Sequence, residues 1–181
     1  MRPAAAAPFV SEAEFLSLPE SKQKTELVDG EVIVSPSPSY WHQEILSRLV
    51  GALRTWASGQ SSPVTVAQAP LDVRFAPDRI LQPDAMVFLT RLSRDHQGPI
   101  DRVPEICVEV LSSDRAYDRI TKRLLYAAAS VQEYWVVDPN AFVERWAGPG
   151  LTREELLREV LTTDRLPGFA LDLPSLFADV K

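Results

Sequence analysis

No stretch constrains this chain more than the run Ile106-Cys107-Val108-Glu109-Val110-Leu111. It is apolar, rich in β-branched residues and of strand length, and Ser112-Ser113-Asp114 closes it with turn-forming residues. Behind it Asp118, Lys122 and Tyr126 recur every four residues, so they share one face of a helix. A lone carboxylate inside a buried strand is costly unless it is paired or holds a metal. Glu109 therefore asks for a cation, unless its side of the strand faces solvent.

The 181 residues fit one domain with a sizeable core, at 45% hydrophobic and 24% charged content. No apolar run approaches the ~20 residues needed to span a bilayer. Residues 1–9 are Ala-rich, lack a basic start followed by a long apolar stretch, and read as a frayed or disordered N-terminus, not a signal peptide. A single cysteine, Cys107, excludes an intrachain disulfide frame and a Cys-based zinc site, and its apolar setting marks a small hydrophobe. This usage points to a cytoplasmic protein. A net charge of −6 argues against gripping nucleic acid through the whole surface, while leaving local engagement open. Arg115, Arg119, Lys122 and Arg123 form such a local cluster, which is either a phosphate-binding patch or a solvated helix face.

Ser11 and Glu14 have capping-box spacing at a short helix that should stop near Pro19, with Val10 and Phe15 as its staple. Residues 26–34 read as a hairpin turning at Asp29-Gly30. From Tyr40 to Ala57, Ile45, Leu46, Leu49, Val50, Leu53 and Trp56 mark a helix closed by Gly59. Segment 63–75 is one kinked strand or two short ones, and Ala85-Met86-Val87-Phe88 is a strand entered through Pro83-Asp84. The polar segment 90–102 is long enough for a functional flap. A helix over 115–130 should turn Ile120, Leu124, Leu125 and Ala128 inward, before a buried strand over 133–137 and a further one over 142–147. Propensity favours a helix over 154–161, although Leu157, Glu159 and Leu161 also alternate. A turn at Pro167-Gly168, a short strand at 171–173 and the anchor Leu176-Phe177 complete an α/β or α+β pattern, a sheet with helices packed on it.

Asp84 and Glu109 are the acids embedded in strands expected to be neighbours. Held together they repel, so one stays protonated unless a cation lies between them. Hard oxygen ligands suit Mg²⁺ or Mn²⁺, which completes its shell with water and phosphate oxygens and assists phosphoryl displacement. Lys122 either neutralises charge developing on a phosphate or forms an i,i+4 ion pair with Asp118. Asp84 is either a ligand or a turn cap after Pro83. His42 and Gln43 open the second helix, where a partly exposed cap is the plainer reading. A two-carboxylate glycosidase would need no cation and little from Lys122.

Taken in order, Glu26-Leu27-Val28-Asp29-Gly30-Glu31-Val32, Ser35-Pro36-Ser37-Pro38 with His42-Gln43, Pro83-Asp84, Pro104 through Glu109-Val110-Leu111-Ser112, Asp118 with Lys122 and Tyr126, Glu133-Tyr134-Trp135-Val136-Val137-Asp138-Pro139 and Leu166-Pro167-Gly168-Phe169 resemble the Uma-two endonuclease family of the PD-(D/E)XK restriction-endonuclease-like superfamily. The likeness runs over about 26–177. It implies an αβββαβ restriction-endonuclease-like core over 10–181, a mixed sheet flanked by helices, with an extra N-terminal hairpin and C-terminal strands. It further implies a Mg²⁺-dependent (or Mn²⁺-dependent) phosphodiesterase acting on DNA, with Asp84 and Glu109 as metal ligands and catalytic residues. Leu111 stands where the superfamily keeps its lysine, and Lys122 matches the family's lysine displaced onto the next helix. Glu31, Gln43, His42, Ser112 and Asp118 are supporting candidates, and Arg115, Arg119 and Arg123 candidates for holding phosphate. Ser112-Ser113-Asp114-Arg115 departs from the family's Ser-Pro-Ser-Thr, and Thr25 from its usual aromatic. The resemblance also implies a homodimer, for which exposed aromatic residues on an edge strand over 142–146 could supply the contact. A module that keeps the nuclease fold without catalysis is the alternative, motivated by the acidic charge.

Overall fold

The computed structural model describes residues 9–19, 21–112 and 116–180. The N-terminal arm lies outside these except for Phe9, and so does Arg115. Helix α1 (Glu12–Leu16) carries the capping box of Ser11 and Glu14, and buries Phe15 with Val10 against Leu27 and Ile80. Strands β1 (Thr25–Val28) and β2 (Glu31–Val34) form the hairpin. Both turn residues are left-handed, Asp29 at φ 50° and Gly30 at φ 88°, as a tight two-residue turn requires. Ser39 accepts from the His42 amide to start helix α2 (Tyr40–Ser58), whose buried stripe is the expected one.

Segment 63–75 resolves into two strands of different sheets, β3 (Thr65–Gln68) and β4 (Val73–Ala76). There follow β5 (Arg79–Leu81), β6 (Ala85–Phe88) and β7 (Ile106–Val110). A π-helical segment, Tyr117–Lys122, runs directly into α3 (Arg123–Ala128). The chain ends with β8 (Glu133–Asp138), β9 (Phe142–Ala147), β10 (Arg153–Leu157), β11 (Val160–Thr162), β12 (Ala170–Asp172) and α4 (Leu173–Leu176). Residues 154–161 are thus strand, not helix. β10 pairs along its whole length with β9, and that ladder outweighs the local helix propensity of Glu154-Glu155-Leu156-Leu157.

The main sheet has the order β10-β9-β8-β7-β6-β3, and a second sheet the order β2-β1-β5-β4. β7 and β8 are parallel, joined by the helical crossover, and the other neighbours are antiparallel. The run α2-β3-β6-β7-α3-β8 supplies the αβββαβ order, with β4 and β5 inserted between β3 and β6. β9 lies between β8 and β10, so the edge-strand contact expected at 142–146 is ruled out for that strand.

Period-two alternation splits the core. Ile106, Val108, Val110, Trp135 and Val137 face α2 and the C-terminal residues Leu166, Phe169 and Leu173. Cys107, Met86, Phe88, Tyr134 and Val136 face β4, β5 and α3. Cys107 is fully buried, and burial first, then Glu109, push its thiol far up, which fits the inert reading. No helix among the described residues is long and apolar enough to cross a membrane.

Candidate active site

Glu109 sits on the α3 side of β7 with 1% of its surface exposed, and Asp84 just before β6 with 6%. The β6–β7 register pairs Ala85 with Val108. Continued by one residue, it sets Asp84 opposite Glu109. The Val110 amide closes the arrangement by donating to Asp84 Oδ2 at 2.9 Å.

The crossover helix delivers Lys122 from the other side. Its Nζ lies 2.8 Å from Glu109 Oε1 and 3.6 Å from both Glu26 Oε2 and Asp118 Oδ1. Tyr126 donates its hydroxyl to the same Glu109 Oε1 at 2.7 Å. The Asp118-Lys122-Tyr126 face, shared as its spacing requires, points inward, and of the apolar residues expected there Leu125 is buried while Ile120, Leu124 and Ala128 are exposed. Ile120 and Leu124 are more than half exposed, since inward space goes to the groups that meet Glu109. Turns of π type are frequent where a helix presents functional side chains.

The acidic pair holds a further cation. Lys24 Nζ is 3.0 Å from Asp84 Oδ1 and 3.3 Å from Glu109 Oε2. His42 completes the shell with Nε2 at 3.0 Å from Asp84 Oδ2. An ionised carboxylate only accepts, so Nε2 carries the proton, and among the described residues the buried Nδ1 has no hydrogen-bond partner. Burial acts to raise the Asp84 carboxyl, but Lys24 and then His42 outweigh it and hold it far below the usual carboxylate range. Burial wins at Glu109, which is pushed up to about 7 against the pull of Lys122 and Lys24. Burial also raises Asp118.

These groups form the floor of a cavity of about 490 Å³ that His42, Gln43, Ser112, Asp118, Lys24 and Lys122 help to line. Glu31, a supporting candidate, is exposed on β2 and does not line it: it pairs with Val28 beside the Asp29-Gly30 turn, at the opposite end of the hairpin from Lys24. Its place near the centre is taken by Glu26, fully buried on β1, whose Oε1 accepts from the Gln82 amide at 2.8 Å. Arg119 and Arg123 do not face the cavity. Arg119 is held by Asp138 at 2.6 Å and Glu144 at 2.7 Å, and Arg123 stacks 4.0 Å from the centre of the Trp146 ring. Nor does segment 90–102 line it. Lys24 and Glu26 were the residues that reading the sequence missed. Their signal is slight: two charges two apart on one side of a strand whose neighbour Leu27 is buried.

Residues 12–173 match the model of the Uma2 family, described as "Putative restriction endonuclease". The chain belongs to the Uma2 family. Among solved structures, a "putative nuclease belonging to DUF820" from Anabaena variabilis superposes with a TM-score of 0.78 at 25% identity, over 95% of this chain and 99% of that one. No curated protein matches in sequence. Uma2 membership and fold together indicate a restriction-endonuclease-like nuclease, and a nuclease implies a nucleic-acid substrate.

Tyr126 allows a local test of this Uma2 centre. Tyr126→Phe removes one buried hydrogen bond to a carboxylate while keeping the ring. The expected loss is about 1.5–3 kcal/mol of stability, seen as a lower denaturation midpoint with unchanged slope.

Proposed function

We propose that this chain is a Mg²⁺- or Mn²⁺-dependent endodeoxyribonuclease, a cytoplasmic homodimer hydrolysing DNA phosphodiesters, with Asp84, Glu109 and Lys122 as its catalytic residues. The observation that carries this reading is the convergence of Asp84 Oδ1 and Glu109 Oε2 on one cationic point in the cavity floor.

The donor set suits a hard divalent ion. Four carboxylates, Glu26, Asp84, Glu109 and Asp118, meet two ammoniums, Lys24 and Lys122. When all four are ionised the shortfall is two positive charges, the charge of one divalent ion. Among the described residues no cluster of three or more His, Cys, Asp or Glu side chains could enclose a metal. Asp84 and Glu109 would hold it, leaving other positions to water and phosphate oxygens, the pattern of Mg²⁺. Bound there, the ion would supply Lewis-acid charge and a more acidic water.

The protein's own groups have separate tasks. The Val110 amide and His42 fix the Asp84 carboxylate, so that Oδ1 faces the cavity. Lys122 and Tyr126 grip Glu109 Oε1 and turn Oε2 the same way. Lys122 keeps a positive charge, 2% exposed, beside the place where charge on the phosphate grows. Ser112 and Gln43 line the wall and can donate to phosphate oxygens.

Supercoiled plasmid incubated with pure protein is expected to be nicked and linearised with Mg²⁺ or Mn²⁺, and to stay intact in EDTA. Intact plasmid with both ions after prolonged incubation contradicts the proposal. Cleavage that survives EDTA would point to carboxylate-only hydrolysis instead. One observation favours a non-hydrolytic module: the cation place between the acidic pair is already taken by the Lys24 ammonium. Calorimetry showing no Mn²⁺ binding would support that second reading.

A further inference from the structure

Two lysines meet the acidic pair, and they are held differently. Lys122 is 2% exposed and lies among Glu109, Glu26 and Asp118. Lys24 comes from the solvent side. It lies just before β1, in a segment whose Ser21, Lys22 and Gln23 are exposed and line the same cavity. Its side chain keeps 19% of its surface exposed.

The carboxylates divide their oxygens to match. Asp84 Oδ2 accepts from Val110 and His42, and Glu109 Oε1 from Lys122 and Tyr126. Among the described residues, Asp84 Oδ1 and Glu109 Oε2 accept only from Lys24. The inner oxygens are thus locked by the fold, while the outer two face a single long, flexible ammonium. Such an ammonium is a compact charge of the size and position that a small cation would take.

We infer that Lys24 is a displaceable counter-ion, whose ammonium holds the cation place between Asp84 and Glu109 and swings out to the cavity when a divalent ion binds. This rests on the metal-dependent reading above and assigns Lys24 a positioning role within it. Without the lysine, the pair's mutual repulsion would be exposed and fold stability would fall. With it, part of that repulsion is offset and the centre stays assembled. The cost is competition: the ion has to break two charge-assisted contacts on entering. Once displaced, the ammonium remains tethered beside the cavity, where a phosphodiester brings negative charge.

Calorimetric titration with Mn²⁺ alone, without DNA, tests the inference on the full chain. Lys24→Met is expected to bind Mn²⁺ roughly tenfold more tightly than wild type, the scale of one partly screened charge contact removed. Lys24→Gln keeps a donor for the carboxylates and serves if the methionine variant folds poorly; the same direction is expected. Asp84→Asn should abolish binding in either background. Wild type and both Lys24 variants binding equally, or the variants more weakly, overturns the counter-ion role and leaves the metal reading standing. If no variant binds Mn²⁺, the metal reading fails, and the counter-ion role falls with it. Binding that appears only when Lys24 is removed supports the competition and places the wild-type chain among the non-hydrolytic modules.

Discussion

Glu109→Ala is expected to abolish plasmid cleavage, a loss of at least about 1,000-fold, the scale felt when a charged group leaves a phosphoryl-transfer centre. Glu109 is the group on which the other parts converge, since Lys122, Tyr126 and Lys24 all donate to it. The alanine variant leaves two ammoniums without their shared carboxylate, a change that costs about 3–5 kcal/mol for a buried pair. Loss of activity could then follow from loss of fold. Glu109→Gln separates the two effects. It keeps the shape and one acceptor oxygen, and it resembles the protonated acid that burial favours at Glu109, whose carboxyl is pushed up to about 7. The glutamine variant is expected to stay folded by circular dichroism while its cleavage is as low as that of the alanine variant. Wild-type cleavage by either one would remove Glu109 from the chemistry.

Lys122→Met is expected to lower cleavage about 100- to 1,000-fold, the effect of deleting one preorganised charge at a reacting centre. It should also lower stability by about 3–5 kcal/mol, because Glu109, Glu26 and Asp118 would be left facing each other in a buried place. Lys122→Arg should not restore activity. A planar guanidinium does not fit where a compact ammonium meets three carboxylates from three directions. Denaturation midpoints and single-turnover cleavage rates, measured on both variants, check the two effects independently. A methionine variant with wild-type rate would leave Lys122 as a structural ion pair only.

The same physics explains what could be read from the residues and what could not. That Asp84 and Glu109 would meet was legible because a carboxylate among apolar strand residues conflicts with its surroundings and needs a partner. The hairpin at Asp29-Gly30 and the cap at Ser11 were legible because their signals are local. The inward face of the crossover helix was misassigned for a related reason. Apolar residues were placed inside by period alone, whereas here buried polar partners claim that face and leave Ile120 and Leu124 in solvent. Residues 154–161 were misread because their strand character comes from pairing with β9, which no local propensity records. Arg119 and Arg123 looked like phosphate ligands in a row, yet Asp138, Glu144 and Trp146, all distant in sequence from the cluster, hold them. Lys24 escaped notice because it sits in the polar stretch Ser21-Lys22-Gln23-Lys24, where a lysine conflicts with nothing.

Anomalous diffraction from a crystal soaked in Mn²⁺ tests the centre most directly. A peak between Asp84 Oδ1 and Glu109 Oε2, with Lys24 swung away from both, is the predicted result. A Mn²⁺-soaked crystal with no peak there, and Lys24 still bridging the two carboxylates, would contradict it.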